Sequence, residues 1–234
     1  MAPSHKNETD VLVAVTGEFY AQTSTSSQAN KSYLFYHVVK RLMDMSFSLL
    51  GIIVLSPLFL IISLLIKMED PRGSMFFYQT RVGKNERMFR MYKFRSMVSD
   101  AEEQLDLLLE KNEISGAMFK MKEDPRITRI GRFIRKTSID ELPQLVNVLR
   151  GEMSLVGPRP PLPREVDEYS SYDKQRLAVT PGCTGVWQVS GRNNLDFNQM
   201  VELDLRYIEN RGVVLDLSIM LKTVKVLFGS KDAY

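Results

Sequence analysis

The hydrophobic positions divide the chain into a polar N-terminal stretch, one long apolar run and a mixed remainder. Residues 1–31 are rich in Ser, Thr, Asn and Gln and sustain no helical or strand period, which predicts a mobile polar tail. Residues 46–66 then form 21 positions without a charged side chain, long enough for a helix to cross a hydrocarbon core of about 30 Å. We therefore expect segment 32–72 to be embedded in a membrane.

The middle of the apolar run contains Ser56 and Pro57. Proline removes a backbone hydrogen bond and clashes with the preceding turn, so the helix must bend there. A kinked helix that spans the membrane once is one explanation. The alternative is a re-entrant hairpin, which we favour because basic residues prefer the cytoplasm and flank the run on both sides. These residues are Lys40, Arg41, Lys67, Arg72 and Arg81, and they outnumber the acids Asp44, Glu69 and Asp70.

Residues 73–234 mix short strand and helix patterns and are predicted to form one catalytic domain. Aromatic-rich residues 74–78 and 87–94 flank a turn at Gly83, which predicts a hairpin. Helical spacing occurs in 99–113, in 142–149, where Gly151 can end the helix, and in 216–228. The last helix suits either the core or the lipid interface, and we favour the core.

Composition changes this picture little, but the placement of charge matters. The 234 residues carry a net charge of +3, with cationic clusters in 81–95 and 120–136 and an acidic stretch in 100–113. A basic patch suits nucleic acid, anionic lipid or a phosphorylated small substrate, and composition does not choose among them. The single Cys183 excludes an intramolecular disulfide and fits a reducing compartment. No secretory signal is evident.

Two adjacent carboxylates, Asp140 and Glu141, precede Pro143, a residue suited to the first turn of a helix. Ser138 and Glu141 have the spacing of a capping box, so a helix cap alone explains the pair. Arginine forks suit phosphate oxygens, and the cations that precede the pair are denser than a helix cap requires. These cations are Arg126, Arg129, Arg132, Arg135 and Lys136. We therefore expect a pyrophosphate beside the carboxylates.

Carboxylates beside a phosphate allow covalent chemistry. A carboxylate that attacks phosphorus forms an acyl phosphate and divides one difficult displacement into two easier ones. Magnesium binds substrate phosphates together with one or two protein carboxylates. Asp140 and Glu141 are thus candidates both for catalysis and for holding Mg²⁺.

Three further stretches carry candidate substrate-binding residues. Arg159 is stiffened by prolines on both sides, which favours phosphate binding over an incidental surface turn. Segment 181–194 contains the only tryptophan, which is better explained as a core aromatic, and Arg192, for which we favour a functional role. Lys93 and Arg95 alternate with Phe94, as cations on the outer face of a strand do. A basic strand face explains that pattern equally well.

In this order, the stretches resemble the bacterial sugar transferase family, monotopic phosphoglycosyl transferases that begin glycan assembly on undecaprenyl phosphate. The likeness covers residues 40–234, although Phe197 replaces another aromatic and the additional membrane spans of large members are lacking. It rests on Lys40-Arg41 with Asp44, Ser56-Pro57, residues 77–83, residues 93–97, the Asp140-Glu141 stretch, residues 156–160 and residues 191–193.

The resemblance implies a mainly α fold with a small β element (α+β), a re-entrant helix bent at Ser56-Pro57, and amphipathic helices on the membrane. It makes Asp140 the covalent nucleophile and Glu141 its partner, with magnesium nearby. Phosphate-binding cations match Lys93, Arg135 and Arg159, and Arg95 belongs to the same strand motif as Lys93. Arg192 and Asn193 match a motif suspected of nucleotide contact.

The expected reaction starts with attack of Asp140 on the β-phosphorus of a UDP-sugar, which releases UMP. Undecaprenyl phosphate then displaces the sugar phosphate, at the cytoplasmic face of a bacterial membrane and as the first membrane step of exopolysaccharide or capsule synthesis. Other polysaccharide-assembly proteins are possible partners, and no nucleic acid is expected. The sequence does not distinguish glucose, galactose or an N-acetylated sugar. A tethered binding protein and a non-catalytic scaffold are the alternatives.

Overall fold

The computed structural model describes residues 8–101, 103–104, 121, 124–190 and 195–229, with side chains from Leu34 to Val226 within those ranges. Backbone contacts divide the chain into residues 1–42 and 43–234. The helix predicted within 99–113 lies largely outside the described residues. The mobility of the tail stays a prediction, although the first helix begins within it.

Helix α1 (Glu8–Glu69) contains the whole apolar run. Its residues 34–69 are long and apolar enough to cross a membrane. Many large apolar side chains of this stretch are exposed, as lipid contact requires: Leu49, Leu50, Ile53, Val54, Leu60, Ile61 and Leu64. The long apolar helix supports membrane association.

The helix is not interrupted at Ser56 and Pro57, so the predicted re-entrant hairpin is not confirmed. Pro57 cannot donate to the carbonyl of Ile53, its partner in a regular helix. The hydroxyl of Ser56 donates to this same carbonyl over 2.8 Å. The serine therefore replaces the hydrogen bond that the proline removes, which is how helices tolerate proline within lipid.

The predicted hairpin is confirmed, with a longer first strand. Strands β1 (Phe76–Val82) and β2 (Met88–Phe94) pair antiparallel, from Phe76 opposite Phe94 to Val82 opposite Met88. Asn85 and Glu86 take positive φ angles of 54° and 60° in the turn. Phe94 is buried, as the alternation predicted.

A second pairing, which the sequence pattern did not reveal, joins β3 (Ser154–Val156) to β4 (Gly182–Thr184) in parallel. Strands of three residues are too short to show a period of two. This pairing brings together two glycine-containing loops that are remote in sequence.

The remaining elements are helical, which agrees with the predicted mainly α fold. Helices α2 (Arg129–Lys136) and α3 (Gln144–Arg150) flank the predicted carboxylate pair, and α3 ends at Gly151 with φ 81° as expected. The other α-helices among the described residues are α4 (Pro163–Asp167), α5 (Val186–Ser190), α6 (Phe197–Asn210) and α7 (Val213–Gly229). Helix α7 buries Ile219 in a core cluster, so the predicted core packing holds for one of its faces.

The apolar helix contacts the rest of residues 43–234 on both sides of Pro57. Asp44 is 5% exposed and accepts a hydrogen bond of 3.0 Å from the amide of Leu155. On the other side, Ile62 and Ile66 form a buried cluster with Phe94 and Ile134. The elements that carry the carboxylates are thereby fixed against the membrane segment.

Candidate functional site

The two carboxylates lie in a tight turn between α2 and α3. A 3₁₀ turn comprises Ile139–Glu141, and Ser138 enters it with a left-handed φ of 55°. This conformation is strained for a residue with a side chain and is found preferentially at functional sites. Ser138 makes no side-chain capping bond, so the capping box does not account for this pair.

Glu141 instead forms an ion pair across to strand β2. Its Oε1 lies 2.8 Å from Nζ of Lys93, with both side chains partly buried. Burial alone would raise the pKa of Glu141, but the charges of Lys93, Arg159 and Arg81 outweigh it and lower the pKa to about 2. Glu141 is therefore a firmly ionised group whose charge is already compensated.

Asp140 is in the opposite electrostatic state. It is 7% exposed, and this burial raises its pKa to about 6, with Lys93 and Arg135 opposing the shift and Glu141 adding to it. Adjacent carboxylates whose pKa values are pushed apart have different chemical roles. At neutral pH Asp140 is an anion that its surroundings stabilise poorly.

Arg81, which sequence reasoning did not place in the site, is a buried cation beside it. Its Nη1 donates to the carbonyl of Pro160 over 3.1 Å and its Nη2 to Oε1 of Gln79 over 2.7 Å. Burial and the nearby Arg159 lower the pKa of Arg81 to about 10. Side chains alternate along a strand, and the neighbouring Val82 is buried, so the pattern of β1 predicts that Arg81 faces outward. The strand pattern therefore gave no sign that Arg81 is buried.

The loop that carries Arg159 is held by backbone contacts without room for side chains. Gly157 donates to the carbonyl of Thr184 over 2.9 Å, and Gly182 donates to that of Pro158 over 2.8 Å. A Cβ added to Gly182 would lie 2.1 Å from the nitrogen of Gly157. The exposed Arg159 is thus presented from a fixed backbone, and its charge reaches Glu141.

Asn147, which is fully buried, joins α3 to the strand that carries Lys93. Its Oδ1 accepts from the amide of Tyr92 over 3.0 Å, and its Nδ2 donates to the carbonyl of Arg90 and to Oε2 of Glu152, each over 2.7 Å. The side chain occupies the hydrogen-bonding edge of β2 as a further strand would. The sequence signal for this role was a single asparagine at a position where the helical pattern predicts an apolar residue.

The structure places the other predicted residues less centrally. Arg95 lies beside Asp70, because both side chains approach Gly73: an added Cβ there would lie 2.6 Å from Nη1 of Arg95 and 2.5 Å from Oδ2 of Asp70. Trp187 is partly buried in α5, and its Nε1 has no partner among the described residues. The predicted residues Arg192 and Asn193 lie outside the described residues.

A magnesium site at the carboxylates is compatible with the donor set. Within the described part of the chain, no group of three or more His, Cys, Asp or Glu could hold a metal. Lys93 occupies one oxygen of Glu141, which leaves the other oxygen and the carboxylate of Asp140. Magnesium needs no more from a protein when substrate phosphates and water supply the remaining ligands.

The sequence of the chain is similar to those of known sugar transferases. A galactosyl transferase CpsE from Streptococcus agalactiae is 47% identical over 206 residues, which cover 87% of this chain and 45% of the relative. An undecaprenyl-phosphate galactose phosphotransferase from Salmonella typhimurium is 45% identical over 84% of this chain and 42% of its own length. The exopolysaccharide production protein ExoY of Sinorhizobium fredii is 39% identical over 84% of this chain and 88% of its own length.

The chain spans less than half the length of the first two relatives, so what their names state concerns those proteins as wholes. A family model gives the broader assignment, since it matches residues 35–230 and includes every described element of the site. The family that this model describes is named bacterial sugar transferase. The chain therefore belongs to the bacterial sugar transferase family.

Proposed function

We propose that the chain transfers a hexose 1-phosphate from a UDP-sugar to undecaprenyl phosphate and releases UMP, through a covalent intermediate on Asp140. The observation that carries the proposal is the pair of adjacent carboxylates with opposite pKa shifts, surrounded by the cations of Lys93, Arg81, Arg135 and Arg159. The names of the relatives support sugar-phosphate transfer to a polyprenyl phosphate.

In the first step an oxygen of Asp140 attacks the β-phosphorus of the UDP-sugar. The bond from that phosphorus to the bridging oxygen breaks, UMP leaves with the electron pair, and an acyl phosphate forms. In the second step a phosphate oxygen of undecaprenyl phosphate attacks the same phosphorus, and the bond to Asp140 breaks. The products are the undecaprenyl diphosphosugar and the regenerated carboxylate, so no further reactant is needed.

The division of labour between the carboxylates follows from their charges. Lys93 already compensates the charge of Glu141, which makes Glu141 a weak nucleophile. Burial disfavours the ionised form of Asp140, and attack on phosphorus removes the buried charge from this carboxylate. We therefore assign attack to Asp140, and to Glu141 the orientation of Lys93 and a share in holding Mg²⁺.

The cations and the metal have complementary tasks. Lys93, Arg135 and Arg159 bind the phosphoryl oxygens on which charge accumulates during each displacement, and Arg95, Arg192 and Asn193 are assigned to more distant parts of the nucleotide sugar. Asp140 and Glu141 would hold a magnesium ion, which would supply neutralisation of the pyrophosphate charge.

We further propose that α1 bends at Pro57 within the membrane and returns to the cytoplasmic face. Support comes from the contacts of Asp44 and Ile66 with the same folded unit, while Ser56 and Pro57 between them are exposed. A bend that keeps the Ser56 hydrogen bond needs no break in the helix. The site then faces the cytoplasm, where nucleotide sugars are made.

The first test is UMP release by the purified chain in lipid with magnesium, undecaprenyl phosphate and a panel of UDP-sugars. Several relatives are named for galactose or galactosyl transfer, so UDP-galactose leads the panel, followed by UDP-glucose and N-acetylated sugars. We expect release with at least one sugar and its loss in Asp140→Asn. Asp167→Asn, at an exposed carboxylate, is the matched control. No release by folded protein with any sugar would favour a tethered binding protein or scaffold.

A further inference from the structure

Helix α2 is anchored to the point where the membrane helix ends. The carboxylate of Glu69, the last residue of α1, accepts a hydrogen bond of 2.7 Å from the amide of Arg129 and one of 2.9 Å from that of Ile130. Ile134 belongs to the buried cluster that contains Ile62 and Ile66 of α1. Wherever α1 leaves the hydrocarbon, α2 lies beside it.

A second contact fixes which face of α2 is turned inward. A Cβ added to Gly131 would lie 1.9 Å from the carbonyl oxygen of Ser96, so α2 packs directly on backbone. The hydroxyl of Thr128 accepts from the amide of Gly131 over 2.8 Å and caps the helix. Rotation of α2 about its axis is therefore prevented, and its outer face is defined.

The outer face combines positive charge with apolar surface. Arg129, Arg132 and Lys136 are exposed, α2 contains no acidic residue, and no ion pair joins these cations to an acidic side chain in the described part of the chain. Phe133 between them is 53% exposed. We call the four residues Arg129, Arg132, Phe133 and Lys136 the α2 collar.

We propose that the α2 collar binds the headgroups of anionic phospholipids. Cations flanking an exposed aromatic are the arrangement with which amphipathic helices bind anionic membrane surfaces. Met68, next to Glu69 at the end of α1, is 78% exposed and is a further exposed apolar side chain near the end of the membrane helix. The inference depends on the membrane association of α1 and not on the proposed chemistry, which uses none of the four residues.

A fluorescence experiment on the full chain tests this directly. Phe133→Trp is introduced together with Trp187→Phe, so that the collar carries the sole tryptophan, and the protein is reconstituted into phosphatidylcholine nanodiscs. Trace phosphatidylglycerol or phosphatidylcholine, each with a nitroxide near the headgroup, is then added at equal mole fraction. Because one cation near a membrane surface contributes about 1 kcal/mol, roughly fivefold at low salt, we expect the anionic lipid to quench at least about twofold more strongly.

Variants separate a specific surface from net charge. In the triple variant Arg129→Gln, Arg132→Gln, Lys136→Gln, we expect both spin-labelled lipids to quench the collar tryptophan equally. The matched control Lys84→Gln, Arg87→Gln, Lys174→Gln removes the same charge. Lys84 and Arg87 lie in the hairpin turn, roughly 20 Å along the strands from Phe76. Phe76 is paired with Phe94, which belongs to the cluster that contains Ile134 of α2. It is expected to keep the preference.

Three results would overturn the proposal. The first is equal quenching by both lipids in the parent protein, and the second is an equal loss of preference in the two triple variants. A preference for spin-labelled undecaprenyl phosphate without one for phosphatidylglycerol would assign the collar to the acceptor instead and also contradict the proposal. None of these readouts depends on turnover, so they are independent of the outcome of the UMP assay.

Discussion

Replacement of Asp140 by asparagine is expected to stabilise the folded chain at neutral pH while it abolishes activity. The pKa of Asp140 is about 6 in the folded chain, against an ordinary value of 3.8. Because the folded-state pKa is raised, the stabilising contribution of this group is fully present below about pH 4 and is lost as the pH rises through 6. At pH 7 the ionised Asp140 therefore destabilises the fold.

The size of the effect follows from the two pKa values. A difference of about two units corresponds to roughly 3 kcal/mol, since one unit is about 1.4 kcal/mol. Asparagine has nearly the shape of the protonated side chain and carries no charge, so Asp140→Asn should recover most of this energy at pH 7. For a domain of this size, each 1 kcal/mol raises the melting temperature by about 2 to 4 °C.

The assay is thermal unfolding of both proteins in the same detergent at pH 7 and at pH 4. We expect Asp140→Asn to melt several degrees above the parent at pH 7 and close to it at pH 4. Asp167→Asn, at an exposed position, should match the parent at both values. If Asp140→Asn melts below the parent at pH 7, or above it by the same margin at both pH values, the pKa of Asp140 is not raised by burial.

Three further changes test other contacts. In the absence of magnesium and substrate, the Asp140 carboxyl followed by NMR should titrate with a pKa of about 6. Glu141→Gln, which removes a negative neighbour, should lower that pKa, whereas Lys93→Met, which removes a positive one, should raise it. Shifts of the same sign in the two variants would contradict this. Asn147→Ala leaves buried backbone groups of β2 unpaired and should cost about 2 to 3 kcal/mol of unfolding free energy. It should reduce kcat by a larger factor than it changes KM for the UDP-sugar. An unchanged melting temperature would argue against this role of Asn147. Ser56→Ala leaves a carbonyl unpaired within the apolar segment and should destabilise the chain by about 1 kcal/mol, while Ser46→Ala, at an exposed serine of the same helix, should not.

Local patterns were sufficient to predict much of the fold. The apolar run, the hairpin around Gly83 and the stop at Gly151 each depend on neighbouring residues, and the structure contains all three. The position of Asp140 and Glu141 at a helix start was likewise predictable, because Pro143 marks a first turn.

Contacts between distant segments were not predictable in the same way. Nothing near Arg81 indicates that Pro160, 79 positions away, accepts its hydrogen bond. The role of Ser56 also depends on geometry: the pair with Pro57 suggested a break, whereas the hydroxyl bonds the carbonyl that proline leaves free. Such cases require knowledge of which backbone group lacks a partner.

The covalent intermediate on Asp140 can be detected by intact-protein mass spectrometry after the chain is mixed with its UDP-sugar and magnesium in the absence of acceptor. We expect a mass increase of one hexose phosphate, located on Asp140 by peptide mapping and discharged when undecaprenyl phosphate is added. Formation of the lipid-linked product without any adduct, or an adduct that persists in Asp140→Asn, would contradict this intermediate.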